Sequence, residues 1–233
     1  MTRDFVTQYY NRKWKGIYGY APTGYKDEFG IASLAEWTWN VKGRSEKEFA
    51  IAYATRHKYK YPELFGEWIE LTGPIYWDTY KSYYQINGVL RKMPFLIKNR
   101  PERPVEPSKY PDGLYLGGGI LEWFTTKESF DEKIETLKQA LALAEKMEQA
   151  DIITATKYVL VHVKTLKSIY QILESLYASD ISEQKNKDSL KKALADLQEN
   201  LSGPEITEEQ KKLIGDIAVE ISSIIGVKTE NCR

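Results

Sequence analysis

The residues best suited to acid–base chemistry are two adjacent carboxylate pairs, Asp27-Glu28 and Asp131-Glu132, and two histidines, His57 and His162. Paired carboxyl groups can divide the work of proton donor and base when both project into one site. Here each pair has a simpler place. Asp27-Glu28 follows the turn Pro22-Thr-Gly-Tyr-Lys26 and stands at the start of a helix running through Ile31, where acidic side chains favour the positive helix terminus. Asp131-Glu132 lies in the first turn of another helix. His57 sits in Arg56-His-Lys-Tyr-Lys-Tyr61, whose interleaved basic and aromatic residues are the pattern of a single-strand nucleic-acid patch. His162 lies among Val161, Val163 and Leu166 with no second His or Cys beside it, so a packed helical histidine is expected there and no metal site. Gly117-Gly-Gly119 lacks the Lys-Ser/Thr that completes a phosphate loop and reads as a turn. No catalytic pair, metal or cofactor is expected within the chain.

The overall balance narrows the partners. Lys plus Arg and Asp plus Glu number 33 each, which gives no net field toward nucleic acid or anionic lipid, and no nucleic-acid partner is expected. No apolar run approaches the roughly 18 residues of a membrane span, and Thr2-Arg-Asp-Phe-Val-Thr-Gln8 does not open a signal peptide. The chain reads as soluble, with its compartment left open. Cys232, the one cysteine, excludes an internal disulfide. Asn200-Leu-Ser202 matches a glycosylation triplet, a match that arises often by chance.

The elements that must position these residues fall into two halves. Of 6 Trp, 17 Tyr and 7 Phe, only Tyr158, Tyr170 and Tyr177 lie beyond residue 130. Pro101, Pro104, Pro107 and Pro111 interrupt any helix or central strand and mark an extended connector. The expected divisions are therefore 1–98, a connector over 99–126, and 127–233. In the first, Gly16–Ala21 alternates like a short buried strand, and Ile31–Trp39 suits a buried helix with Ile31, Leu34, Ala35 and Thr38 inward. Ser45-x-x-Glu48 forms a capping box that starts a helix from Glu46 to about Arg56. Pro62 opens a helix that Gly73-Pro74 should stop, and Pro74 should open another reaching to near Gly88. Trp37, Trp39, Trp68 and Trp77 are expected in a core.

Beyond residue 127, four apolar stripes recur at helical spacing. They begin at Phe130, Ile152, Leu190 and Leu213, the last preceded by the cap Thr207-x-x-Gln210. Short polar turns between them predict an antiparallel four-helix bundle, a surface through which the chain could self-associate.

The segment Phe29-Gly-Ile-Ala-Ser-Leu-Ala-Glu-Trp-Thr-Trp-Asn40, with Gly43-Arg-Ser-Glu-Lys-Glu-Phe-Ala50 after it, resembles the close of the catalytic barrel in family 20 glycoside hydrolases, the β-N-acetylhexosaminidases. In that family a helix reading roughly A-x-A-E-R-x-W-S follows the eighth strand, and Ala32, Ala35, Glu36, Trp39 and Asn40 fall near those positions. The resemblance covers residues from about 15 to 55. It implies a mainly α chain comprising the last strand and helix of a (β/α)8 barrel, a Trp- and Tyr-rich helical layer, and the bundle. A whole barrel takes about 250 residues, so the family's catalytic Asp-Glu pair would lie upstream. In that pair the Glu protonates the leaving oxygen and the Asp orients the substrate's acetamido group. The implied partner is a carbohydrate, N-acetylhexosamine foremost.

On this resemblance Tyr18, Tyr20 and Thr23 would stand at the barrel mouth and contact sugar, because functional side chains project from the C-terminal ends of barrel strands. The chain departs from the family there: Tyr20-Ala-Pro22 stands where the family usually has Trp-x-Glu, as in a divergent subgroup. Glu36, Trp37, Trp39 and Asn40 would be structural, with Arg44 the expected partner of Glu36. A strand over Gly16–Ala21 has no evident partner strand in the chain, which points the same way. The competing expectations are a free-standing helical interaction protein and a small carbohydrate-binding module.

Overall fold

The computed structural model describes residues 2–16, 28–99, 128–176, 184–202 and 207–226; within 62–99 the side chains at 77–89, 92, 96 and 99 lie outside that description. Among the described residues the fold is mainly α-helical and contains no strand. The helices are Thr2–Asn11 (α1), Glu28–Trp39 (α2), Glu46–Arg56 (α3), Pro62–Asn99 (α4), Glu128–Met147 (α5), Ala150–Leu176 (α6), Gln184–Asn200 (α7) and Glu208–Ile225 (α8). The strand expected over Gly16–Ala21 falls almost wholly outside the described residues, as does the proline-rich connector.

Helix starts follow the local chemistry. Ser45 caps α3 and Thr207 caps α8, each in a full capping box with Glu48 or Gln210 reaching back to the cap amide. Pro62 opens α4 where a missing amide costs nothing. Gly226 closes α8 at φ 74, the left-handed conformation that glycine adopts freely.

The expected break at Gly73-Pro74 does not occur. The helix α4 runs unbroken for 38 residues, past Gly88 to Asn99. An interior proline removes one backbone hydrogen bond and clashes with the preceding turn, at about 3 kcal/mol. Against that, Phe65, Trp68 and Ile75 are buried near the proline and Leu90, Met93 and Ile97 beyond it. At about 1.5–3 kcal/mol for each fully buried side chain, this packing outweighs Pro74 and the second interior proline, Pro94.

The chain forms two compact units, Met1–Ile75 with Gln139–Thr154, and Tyr76–Lys138 with Ala155–Arg233. In the first, Val6, Trp37 and Phe49 make a core against which Phe29, Ala32, Leu34, Val41 and Tyr53 pack. In the second, α6 is enclosed almost all round from His162 to Leu176. Its buried Thr165 and Ser168 donate to the Val161 and Lys164 carbonyls, at 2.9 and 3.2 Å, so a polar residue can sit inside without an unsatisfied hydroxyl. Lys167 pairs with Asp131 of α5, Tyr170 stacks on Phe130, and Asn200 of α7 donates to Ser168. The amide nitrogen that a glycan would occupy at Asn200 is therefore engaged inside the fold.

Candidate functional site

The segment that resembles a barrel closure folds into a tied corner between α2 and α3. The indole Nε1 of Trp37 donates to the Arg44 carbonyl at 3.0 Å, and the Arg44 guanidinium lies 3.5 Å from Glu36. Between them the chain turns through Gly43, whose amide donates to the Asn40 carbonyl at 2.9 Å. A Cβ at Gly43 would stand 3.0 Å from that carbonyl oxygen and 3.1 Å from Asn40 Nδ2, so a larger residue there requires Asn40 to give by a few tenths of an ångström. The Ser45–Glu48 capping box completes the corner, and its hydrogen bonds hold the Glu48 carboxyl below the usual range. Glu36, Trp37 and Asn40 are thus brought together at this corner.

Trp39 is not part of that core. It is 93% exposed, whereas Trp37 is 2% exposed. Two residues along a helix turn the side chain by about 200°, so neighbours at that spacing face opposite ways. The inward face of α2 differs from expectation for the same reason. Ser33 and Trp37 are buried, with Phe29, Ala32 and Leu34 partly so, while Ile31, Ala35, Thr38 and Trp39 form an exposed stripe at i, i+4, i+7 and i+8. The helix is apolar on both faces, and only one is covered within its unit.

The other candidate groups have structural partners. Glu28 Oε1 lies 3.6 Å from His57 Nε2, and the His57 ring stacks on Tyr53 with centroids 4.1 Å apart. Burial, with the Glu28 charge and Tyr59 adding to it, pushes the Tyr53 phenol up to about 12. This histidine caps the C-terminus of α3 and lies beside the start of α2. Asp131 serves the first turn of α5. His162 is buried, and that burial lowers its pKa to about 4. Tyr18, Tyr20, Thr23 and Asp27 lie outside the described residues. Among the described residues no three His, Cys, Asp or Glu side chains gather as a metal site would need.

Sequence reasoning missed α1 and the cleft it makes. This open cleft of about 370 Å³ is lined by Arg3, Asp4, Thr7, Tyr10 and Asn11 from α1 and by Val41 and Lys42 from the α2–α3 turn. The Arg3 amide donates to Glu46 Oε1 at 3.4 Å and fixes the start of α1 beside the start of α3. The available signal was the seven-residue spacing of Arg3 with Tyr10 and of Asp4 with Asn11, which sets all four on one helix face.

Comparison with protein-family models, with curated proteins and with solved structures found no significant match. Among the described residues no helix is long and apolar enough to cross a membrane.

Proposed function

We propose that this chain is the C-terminal part of a carbohydrate-active glycoside hydrolase resembling the β-N-acetylhexosaminidases, in which residues 1–98 close the barrel, 99–126 connect and 127–233 form the helical bundle. The observation that carries this reading is α2. A helix apolar on both faces belongs between two layers, and the closing helix of a barrel packs on the strands with one face and on outer helices with the other. The stripe Ile31, Ala35, Thr38 and Trp39 is the face left for the strands. The tied corner at Glu36, Trp37 and Arg44 supports it, because the family's equivalent glutamate anchors the closing helix.

In the intact enzyme the reaction is hydrolysis of a terminal N-acetylhexosamine, with the acid and its acetamido-orienting partner supplied from upstream strands. On this reading the acid pair lies outside the chain, so the chain by itself has no glycosidase activity. An immunoblot of source cells with an antibody against the bundle tests the reading. The native band should exceed 27.0 kDa by the mass of a barrel of about 250 residues. A band at 27.0 kDa, or turnover of a chromogenic N-acetylglucosaminide by the purified chain, overturns it.

A second reading, self-association through the bundle, is favoured by apolar side chains exposed on the second unit. Tyr158 and Val161 of α6 are 38% and 37% exposed, and Val219 of α8 is 50% exposed. A single-chain mass at every concentration in light scattering would reject it.

A further inference from the structure

We propose that the cleft between α1 and the α2–α3 turn is a saccharide-binding subsite, separate from any barrel mouth. For its ligand class this rests on the carbohydrate reading above. Its volume of about 370 Å³ lies at the small end of ligand pockets, which run from about 300 to 1,000 Å³. That suits one sugar ring.

The lining carries the chemistry a sugar requires. A sugar ring has an apolar C–H face and a rim of hydroxyls, each both donor and acceptor. Tyr10, 59% exposed, offers an aromatic face for the first. For the rim, Asn11 donates and accepts, and Arg3 and Lys42 donate. Planar amide and guanidinium groups suit vicinal hydroxyls, which present two polar atoms side by side.

The walls are held in advance. Val41 packs against the core of Val6, Trp37 and Phe49, and the start of α1 is tied to Glu46. A preformed site loses less entropy on binding. The cleft uses Val41 and Lys42 and none of the exposed α2 stripe, so a barrel covering that stripe does not require the cleft's own residues.

Calorimetric titration of the purified chain with N-acetylglucosamine, its β-1,4-linked disaccharide and galacturonic acid tests the proposal. The two neutral sugars should bind with a dissociation constant of about 1 mM, with little dependence on salt. Tyr10→Ala should weaken binding at least about tenfold with an unchanged circular dichroism spectrum, and Tyr10→Trp should retain it. The subsite is overturned if no neutral sugar binds, if Tyr10→Ala binds as well as the parent, or if only galacturonic acid binds and high salt abolishes it. The native size in cells reports independently on the hydrolase reading: a large band with no sugar binding removes the subsite alone, and a 27.0 kDa band with Tyr10-dependent binding removes the hydrolase tail alone.

Discussion

Trp37 donates its indole N–H to the Arg44 carbonyl at 3.0 Å, across the turn that joins α2 to α3. The ring also fills the core beside Phe49, with centroids 5.3 Å apart. Two links of the chain meet in one side chain: the packing of α2 and the direction of the turn.

Replacing Trp37 should separate those two contributions. Trp37→Phe keeps an aromatic ring but leaves the carbonyl without its donor, at a cost of about 1–3 kcal/mol. Trp37→Ala adds a cavity and should cost about 3–5 kcal/mol. Trp39→Ala, two residues on, should stay within about 0.5 kcal/mol because the side chain is already in solvent. Urea unfolding followed by circular dichroism gives all three values. Equal losses at residues 37 and 39 would contradict the burial pattern.

The two glycines Gly66 and Gly215 should respond oppositely to alanine. A Cβ at Gly66 of α4 would stand 2.7 Å from Ile51 Cγ1 of α3, while one at Gly215 of α8 would meet nothing within 4 Å. Gly66→Ala should destabilise by about 1–3 kcal/mol through overpacking. Gly215→Ala should stabilise by about 0.5–1 kcal/mol, since alanine is the better helix former. Adding Ile51→Ala removes the clashing atom, so the double variant should lose less than the sum of the two single variants. Strict additivity would place the strain elsewhere.

What could be seen beforehand followed from local chemistry. The boxes at Ser45 and Thr207, the proline at the start of α4 and the four helices after residue 127 each have a short signature, and each was found. What escaped depends on tertiary contact. The helix α1 is followed by Lys13 at φ 57, a position where glycine or asparagine is the usual signal. In α6 the buried Thr165 and Ser168 satisfy their own hydroxyls, so a helix enclosed on most sides looks two-faced by pattern. In α2 both faces are apolar, and periodicity cannot choose which one its own unit covers. The candidate cleft was hidden because α1 has one buried residue, Val6, and therefore almost no apolar stripe.

Acid should loosen the second unit through His162. Burial lowers its pKa to about 4, below the ordinary value of 6.5. The unfolded chain therefore takes up the proton first as pH falls, and stability drops through the window from 6.5 to about 4, then levels. Between pH 7.5 and pH 5 the expected loss is about 2 kcal/mol. Urea midpoints for the parent and His162→Leu over this range check it. The parent should weaken and the variant should lose most of that slope; parallel curves would remove His162 as the cause.

The exposed stripe on α2 and the apolar patch on the second unit make different predictions for association. Ile31→Lys with Trp39→Lys changes side chains that are 50% and 93% exposed, so the fold should keep its stability within about 1 kcal/mol. If the stripe is the face meant for barrel strands, it is sticky in the isolated chain. The double variant should then reduce binding of a hydrophobic dye and any rise of apparent mass with concentration. Tyr158→Lys with Val161→Lys should leave both nearly unchanged. The reverse pattern would assign association to the bundle and remove the observation on which the hydrolase reading rests. A stripe that neither binds dye nor promotes association would do the same, because a face that is content in water needs no second layer.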